Sequence, residues 1–566
     1  MATMQAIAKE KQMKKIWWKE AVGYQIYPRS FKDSNGDGIG DLQGIISKLD
    51  YLKDLGIDVI WICPMYESPN DDNGYDISNY KEILSDFGDM NDFDELLSEV
   101  HKRGMKLIID LVVNHTSDEH EWFIESKSSK DNPKRDWYIW KSGSGEKEPN
   151  NWESIFKGSA WEYDETTDEY FLHLFSKKQP DLNWENEEVR NAVYEMINWW
   201  LDKGIDGFRV DAISHIKKDQ SFENLPNPEN KAYVESFDKH MNFNGIHVFL
   251  NELKNETFAK YDIMTVGEAN GVKADVDADL WVGEENGSFN MVFQFEHLDL
   301  WETKGESKSK VIDLKEALSK WQDNLHGIGW NALFIENHDI SRVVSTLGND
   351  SEYRIECAKA LALMYFMQQG TPFIYQGQEI GMTNVKFNSI DDYDDIKCIN
   401  VYNEKIASGI SKEEALEEVW KTSRDNARTP MQWDDSENAG FTDGKPWIHV
   451  NPSYKDINVK HQLEDENSIL NFYKKLIKIK KQNQTLMYGK YNLILEDHEQ
   501  IYAYTRILDD EKYIIICNLS DNTSAYDYEE VLEYDNLVIS NYNVNKHLPM
   551  NKFDLMPWEC RLYKIK

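Results

Sequence analysis

The chain has 566 residues, of which 40% are hydrophobic and 29% are charged, and this composition excludes a disordered or fibrous protein. The length exceeds that of one ordinary core, so we expect two or three domains. Phosphate backbones and anionic lipid surfaces would repel the net charge of −38, which argues against nucleic-acid and membrane partners and fits a small neutral substrate.

The N-terminal sequence predicts neither a signal peptide nor a membrane anchor. The first dozen or so residues contain no long apolar run, and no stretch of about 18 apolar residues occurs in the chain. We expect these first residues to be an unstructured extension and the protein to be cytoplasmic. The five cysteines are widely spaced without a CxxC pair, so they predict neither a zinc site nor a disulfide framework.

Short apolar runs alternate with helix-like stretches along most of the chain. The runs are residues 58–62, 106–113, 207–210, 263–267 and 371–375, and the clearest helices are 92–103 and 187–203. Continuous apolar strands are typical of parallel sheets buried on both faces, and strand–helix alternation predicts βα units. Over roughly 450 residues, this pattern favours an α/β fold, the closed (β/α)8 TIM barrel, over an open sheet.

Two regions interrupt this alternation. Residues 116–178 are rich in Trp, Asn, Ser, Gly and Lys, which indicates a subdomain inserted after the third strand. From residue 486 onward, short strands follow one another, which indicates a C-terminal antiparallel β-domain. We therefore predict a catalytic barrel over 17–115 and 179–485, an inserted subdomain over 116–178, and a C-terminal β-sandwich over 486–566.

Three acidic residues follow predicted strands. Asp211 follows 207–210, Glu268 follows 265–267 and Asp339 follows 334–338. The active site of a TIM barrel lies at these carboxyl ends, and two carboxylates that flank one sugar are what glycoside hydrolysis requires. A single acid at a strand end is usually a solvated loop residue, but three together point to catalysis. Arg209 lies two residues before Asp211 and faces the same side of the strand, so it should keep Asp211 ionised.

Several motifs, in order, resemble glycoside hydrolase family 13, the α-amylase family. The nearest group is the bacterial oligo-1,6-glucosidase and α-glucosidase branch. The matching segments are 110–115 (DLVVNH), 179–185 (QPDLNWE), 207–211 (GFRVD), 266–268 (VGE), 336–339 (ENHD) and 423–433 (SRDNARTPMQW). The resemblance extends from about Trp17 to the C-terminus.

The resemblance implies a retaining exo-α-glucosidase that forms a covalent glucosyl–enzyme intermediate. Asp211 would be the nucleophile, Glu268 the general acid and then the base, and Asp339 would bind the sugar 2- and 3-hydroxyls. Asp72 would hold the hydroxyls of the non-reducing end, and Tyr75 would stack on the ring.

The remaining implied substrate residues surround this centre. His115 and His338 would donate hydrogen bonds to the glucose, and Arg209 would balance the charge of Asp211. Arg424, or else Arg428, would close the pocket around Asp72, although Arg428 could equally be a structural ion-pair residue. Phe156 and Phe175 would be apolar walls, or alternatively ordinary core residues.

A loop after the first strand places oxygen-bearing residues at alternate positions with glycine at the sixth, as in the first half of an EF-hand loop. The twelfth position is glycine instead of glutamate, so a simple Gly/Asp-rich turn is the alternative reading. The resembling branch carries a metal here, which implies a structural Ca²⁺. Its ligands would be Asp33, Asn35, Asp37, the Ile39 carbonyl and Asp41.

Residues beside the catalytic acids bear on specificity. In the resembling branch, valine after the nucleophile accompanies α-1,6 specificity, whereas this chain has Ala212, and Ala269-Asn270 follows the acid where many α-1,6-specific members have Met-Pro. This favours a broad enzyme that accepts maltose- and isomaltose-type oligosaccharides, with sucrose as a further candidate substrate, and that acts as a monomer or weak homo-oligomer.

Two other functions compete with this hypothesis. Sucrose isomerases of the same branch carry an Arg-Leu-Asp-Arg-Asp stretch, but the corresponding segment here, 297–301, has no arginine. A non-catalytic carbohydrate-binding relative would lack catalytic carboxylates, all of which this chain retains.

Overall fold

The structure is a computed structural model in which residues 16–145, 147–298, 310–528, 534–544 and 551–565 are described. The predicted N-terminal extension lies outside these residues. Within them, no helix combines the length and the apolar character that a membrane crossing needs. All five cysteines are buried free thiols.

Eight parallel strands form the central sheet and confirm the predicted barrel. They are β1 Gly23–Ile26, β2 Val59–Ile62, β3 Lys106–Val112, β4 Gly207–Asp211, β5 Met264–Ala269, β6 Met291–Gln294, β7 Ala332–Leu333 and β8 Thr371–Tyr375. The order across the sheet is β6-β5-β4-β3-β2-β1-β8-β7, and the outer strands β6 and β7 contact each other, which closes the barrel.

Helices alternate with the barrel strands, and further helices lie in the inserted segment and in the segment after β8. The longer ones are Met90–Lys102, Glu187–Lys203, Ile246–Glu256, Lys310–Leu325, Arg354–Phe366, Ile396–Ala407, Lys412–Thr422 and Ile469–Lys481, and shorter ones include Leu42–Ser47, Leu49–Leu55 and Glu121–Ser128. Their ends follow local chemistry: Asp89 forms a capping box at the start of Met90–Lys102, and Gly204 ends Glu187–Lys203 in a left-handed conformation.

The segment between β3 and β4 contains the predicted insertion. Its three-stranded sheet has the order Trp140–Lys141, Glu169–Leu172, Trp161–Asp164. A further short strand, Trp152–Glu153, pairs with Val234–Glu235, which lies after β4. The insertion therefore packs against a second loop of the barrel, while the exact domain boundaries remain predictions.

The C-terminal region is antiparallel, as predicted. Its strands are β9 Lys490–Ile494, β10 Ile501–Leu508, β11 Glu511–Asn518, β12 Ser524–Asp527, β13 Tyr534–Ser540, β14 Lys552–Leu555 and β15 Cys560–Ile565. One sheet has the order β9-β10-β11-β15-β13, and β12 pairs with β14 in a second sheet.

One predicted strand is wrong. Residues 334–338 do not form a strand, because β7 ends at Leu333 and the chain to Asp339 is irregular. Glu336 accepts hydrogen bonds from the Arg342 guanidinium (3.0 Å) and from the Val343 N–H (2.8 Å). These contacts hold the segment against the following helix in place of ladder pairing, while Asp339 still reaches the same end of the barrel.

Candidate active site

A cavity of about 450 Å³ opens at the carboxyl end of the barrel strands. The predicted residues that line it are Asp72, Tyr75, His115, Phe156, Phe175, Asp211, Glu268, Asp339 and Arg424. A second cavity of about 400 Å³ lies at the opposite end, beside Trp18 and Trp330, and among its described lining residues only Glu284 is acidic. Of these two cavities, the first is the one that combines several carboxylates, as sugar chemistry requires.

Arg209 joins the two principal carboxylates. It is buried on β4, and its Nη1 donates to Asp211 (2.7 Å) while its Nη2 lies 2.9 Å from Glu268. Nη1 also donates to the fully buried Asp110 at 2.9 Å. The second oxygen of Glu268 accepts the backbone N–H of Ala212 at 2.7 Å. One guanidinium thus sets the relative position of Asp211 and Glu268.

The charge state of Asp211 reflects opposing effects. Burial raises the pKa of Asp211, the Glu268 carboxylate raises it further, and Arg209 offsets part of this rise. The sequence argument considered only the cation. Asp110, Asp211 and Glu268 surround one guanidinium, and the two neighbouring carboxylates are the reason that Arg209 offsets only part of the rise at Asp211.

Asp339 is held ionised by cations behind it. His338 Nε2 lies 3.0 Å from one oxygen, and Arg428 Nη2 donates to the other at 2.9 Å. Although burial raises the pKa of Asp339, these cations bring it well below its usual range. Burial lowers the pKa of His338, but the charge of Asp339 prevails and raises it to about 10.

Asp72 closes one end of the cavity. Its Oδ1 accepts a hydrogen bond from Arg424 (3.1 Å), and its Oδ2 accepts one from Gln179 (3.2 Å). Arg424 is itself fixed by Asp395, whose Oδ1 lies 2.7 Å from Nη2. Burial raises the pKa of Asp72, and the guanidiniums of Arg424 and Arg428 oppose this rise.

Aromatic side chains form the walls. The Arg424 guanidinium lies 5.1 Å from the Phe156 ring, and Phe156 packs edge-on against Phe175 at 5.5 Å. The ring of His115 lies 5.1 Å from Phe175. Burial lowers the pKa of His115 to about 4, so its ring is neutral at pH 7 and can donate from one nitrogen. Tyr75 stacks on His338 at 5.2 Å.

The structure brings most of the predicted site residues to the cavity surface and places others behind them. Arg209, His338 and Arg428 are buried and act on Asp211 or Asp339. Sequence reasoning assigned no role to Asp110, Gln179 or Asp395. The first two lie inside recognised motifs, so their position was a usable signal, whereas nothing in the sequence around Asp395 indicates its contact with Arg424.

The predicted calcium loop lies after β1, as expected. Asp33 accepts backbone N–H groups from Asn35 and Gly38 at 2.9 Å, and Asp41 accepts the Ser34 N–H at 2.9 Å. Among the described residues, no three His, Cys, Asp or Glu side chains converge on a single metal position. The donors are nevertheless the oxygens that Ca²⁺ prefers, and carboxylates in such loops can accept N–H groups while they bind a cation.

The chain matches known proteins over most of its length. The family model described as "Alpha amylase, catalytic domain" matches residues 25–489. Probable oligo-1,6-glucosidase 3 of Bacillus subtilis (strain 168) is 58% identical, with 97% of this chain and 100% of that protein covered. Oligo-1,6-glucosidase of Parageobacillus thermoglucosidasius is 56% identical, with 98% and 100% covered.

A solved structure supports the same relationship. An isomaltulose synthase mutant from Erwinia rhapontici NX5, determined with sucrose, matches with a TM-score of 0.93 and 43% identity, covering 98% of this chain and 100% of that chain. The motifs, the barrel, the joined carboxylates and these matches together show that the chain belongs to the α-amylase family, glycoside hydrolase family 13.

Proposed function

We propose that this protein is a retaining exo-α-glucosidase that releases glucose from the non-reducing end of short α-glucosides. The observation that carries the proposal is the cavity itself, in which Asp211 and Glu268 share Arg209 and the pair Asp72–Arg424 closes one end. A closed end admits a terminal sugar and excludes the middle of a chain.

The reaction uses the two carboxylates in turn. The Asp211 carboxylate attacks the anomeric carbon, and protonated Glu268 donates its proton to the leaving glycosidic oxygen as that bond breaks. Glu268 then removes a proton from water, which attacks the anomeric carbon and breaks the bond to Asp211. Two displacements at the same carbon return the α-configuration.

Asp339 binds the sugar from the other side of this centre. Because His338 and Arg428 keep it ionised, Asp339 can accept hydrogen bonds from the ring hydroxyls. Replacing Asp211 by Asn should abolish glucose release while the melting temperature stays near that of the wild type. Undiminished hydrolysis by this variant would refute the mechanism.

We propose that both α-1,6 and α-1,4 bonds are cleaved. The two relatives are named oligo-1,6-glucosidases, whereas Ala212 and Ala269 provide small side chains next to the catalytic acids. A change of one methyl group shifts specificity by only about 1–3 kcal/mol, so a mixed preference is expected. The test is incubation with maltose, isomaltose, sucrose and trehalose, followed by product analysis. Glucose from only one of the first two would contradict a broad specificity.

Sucrose isomerisation is the alternative, favoured by the structural match to an isomaltulose synthase. Against it, segment 297–301 has no arginine. Residues 299–301 lie outside the described part of the chain, so the argument rests on the sequence there. Isomaltulose or trehalulose from sucrose would overturn the hydrolase proposal in favour of the isomerase.

We also propose a structural Ca²⁺ in the loop after β1, held by the oxygens of Asp33, Asn35, Asp37, Ile39 and Asp41. Burial raises the pKa of Asp33, but hydrogen bonds from Thr442 and the Gly38 N–H hold it below its ordinary value, which favours the anion that a cation needs. Calcium titration of metal-free protein by calorimetry should show one site, and D37A should lose it. Heat changes that are the same in D37A would contradict the ligand set.

We also propose that the protein is cytoplasmic and that it is a monomer or a weak homo-oligomer. The five free, buried thiols suit a reducing compartment. Cell fractionation and light scattering at several concentrations test these two points.

A further inference from the structure

The loop that carries Asp72 also contains Asp76, whose carboxylate is fully buried. Its Oδ1 accepts the backbone N–H of Asp72 at 3.1 Å, and its Oδ2 accepts the N–H of Asp71 at 2.8 Å. Two consecutive backbone N–H groups therefore converge on one carboxylate directly beneath Asp72.

This loop has an unusual backbone that requires such an anchor. Asn70, Asn73 and Gly74 have φ angles of 62°, 49° and 96°, all in the left-handed region. Asparagine and glycine adopt this region most readily, yet a loop with several such residues needs outside contacts to prefer one conformation. The Asp76 carboxylate supplies two such contacts, because it accepts the N–H groups of Asp71 and Asp72.

Asp76 cannot act on the sugar directly. It is absent from the residues that line the active-site cavity, whereas Asp72 lines it and receives Arg424 and Gln179 on its two oxygens. The environment disfavours a charge at this position, since burial raises the pKa of Asp76 to about 7 even though the Asp72 and Asp71 N–H groups oppose the rise. An aspartate at such a site has a positional role that an apolar residue could not fill.

We propose that Asp76 is a positioning residue for recognition of the terminal sugar. By fixing the backbone of Asp72, it sets where that carboxylate meets the hydroxyls of the non-reducing end. The inference rests on the proposed exo-glucosidase function. It implies that Asp76 controls substrate binding much more than bond cleavage, because Asp211 and Glu268 are held separately by Arg209.

The test compares the wild type, D76N and D72A on p-nitrophenyl α-glucoside and on its 4-deoxy analogue. An amide has one acceptor oxygen, and its NH2 would face a backbone N–H, so one contact is lost. We expect D76N to raise KM for the full glucoside about tenfold or more and to change kcat less than about threefold. D76N should also lose most of the wild-type preference for the full glucoside over the 4-deoxy compound, as D72A should.

The matched control is D164N. Asp164 is also buried and accepts a backbone N–H, that of Thr167 at 3.0 Å, but it lies in the inserted region and does not line the cavity. D164N should keep the wild-type KM and the wild-type preference. If D76N lowers kcat on both glucosides equally and keeps the preference, the positioning role is wrong and Asp76 is only structural.

A second variant covers the case in which D76N does not fold. D76S keeps one acceptor oxygen on a shorter side chain, so it should raise KM in the same direction, whereas an unchanged KM would overturn the proposal. The wild type reports separately on the proposed function: equal efficiency on both glucosides would refute the role of Asp72, and that of Asp76 with it. If the wild type and D76N both prefer the full glucoside over the 4-deoxy compound to the same degree, the positioning role of Asp76 is refuted and the role of Asp72 stands.

Discussion

The Arg424 guanidinium lies 3.1 Å from the Asp72 carboxylate, although 352 positions separate the two residues in the chain. This contact joins the loop after β2 to a segment that follows β8, at the point where the cavity closes. Both side chains are almost fully buried. The pair therefore limits the length of substrate that fits on the glycone side.

Breaking this pair should weaken binding of the terminal sugar. R424A leaves Asp72 buried without its cation, and D72A removes the carboxylate that meets the hydroxyls. We expect each to raise KM about 100-fold, equivalent to ~2.7 kcal/mol, with a smaller effect on kcat.

The double variant D72A/R424A shows whether the two residues affect KM jointly or independently. Since the two residues act together, D72A/R424A should be no worse than the poorer single variant, whereas additive losses would show that they act independently. Steady-state kinetics on maltose and isomaltose provide the measurement.

Removing the general acid should affect poor leaving groups most. In the structure both oxygens of Glu268 are held in place, one by Arg209 at 2.9 Å and the other by the Ala212 N–H at 2.7 Å. E268A should lose at least about a thousandfold in kcat/KM on maltose.

An activated leaving group that departs without a proton should show a smaller loss on the first step. α-Glucosyl fluoride is suitable for this comparison, and a burst of fluoride followed by slow turnover would show that the second step still needs the base. Equal losses on maltose and the fluoride would argue against Glu268 as the acid.

Strand ends and motifs were predictable from the sequence because they depend on local patterns. The continuous apolar runs placed Asp211 and Glu268 at the carboxyl ends of two strands, and the structure agrees. The irregular conformation of residues 334–338 was not predictable. The apolar residues there suggested a strand, but the contact of Glu336 with Arg342 holds the segment in another conformation.

The contacts that support the site residues were even harder to predict from the sequence. Asp395 and Arg424 each precede a different helix, and they meet only after the chain folds. Asp76 directly follows the predicted site residue Tyr75, but its role depends on which backbone N–H groups point at it, and sequence spacing does not reveal that.

The ion pair between His338 and Asp339 predicts a pH dependence of stability. The folded protein raises the pKa of His338 from 6.5 to about 10, so the histidine contributes stability that is fully present below pH 6.5 and is lost as the pH rises toward 10. Asp339 has a lowered pKa, so its contribution is present above its ordinary value of 3.8 and is lost only in strong acid.

Urea unfolding of the wild type and H338Q at several pH values tests this sign. The difference in unfolding free energy should be largest near pH 5–6 and should shrink steadily up to pH 10. H297Q is the matched control, because burial lowers the pKa of His297 to about 4 and its contribution should not change above pH 6.5. A gap for H338Q that widens with pH would contradict the ion pair.

Ala212, directly after the nucleophile, should resist a β-branched replacement. Its backbone is left-handed, with φ of 44° and ψ of 28°, and this conformation directs its N–H to Glu268. Left-handed conformations cost non-glycine residues roughly 1–2 kcal/mol, and a branched Cβ increases the conflict. Alanine already bears this cost, so A212V should lower the unfolding free energy by no more than about 1–2 kcal/mol, and it places two further methyl groups beside the catalytic acids.

The kinetic consequence distinguishes strain from simple crowding of the cavity. Because valine at this position accompanies α-1,6 specificity in the resembling branch, A212V should lower kcat/KM on maltose more than on isomaltose, as crowding near the leaving sugar would, whereas a displaced N–H would lower kcat on both alike. A212G is the control, because glycine adopts this backbone without strain and keeps the N–H, so it should retain kcat on both. If A212V lowers kcat on both substrates alike, strain outweighs crowding and the specificity argument fails.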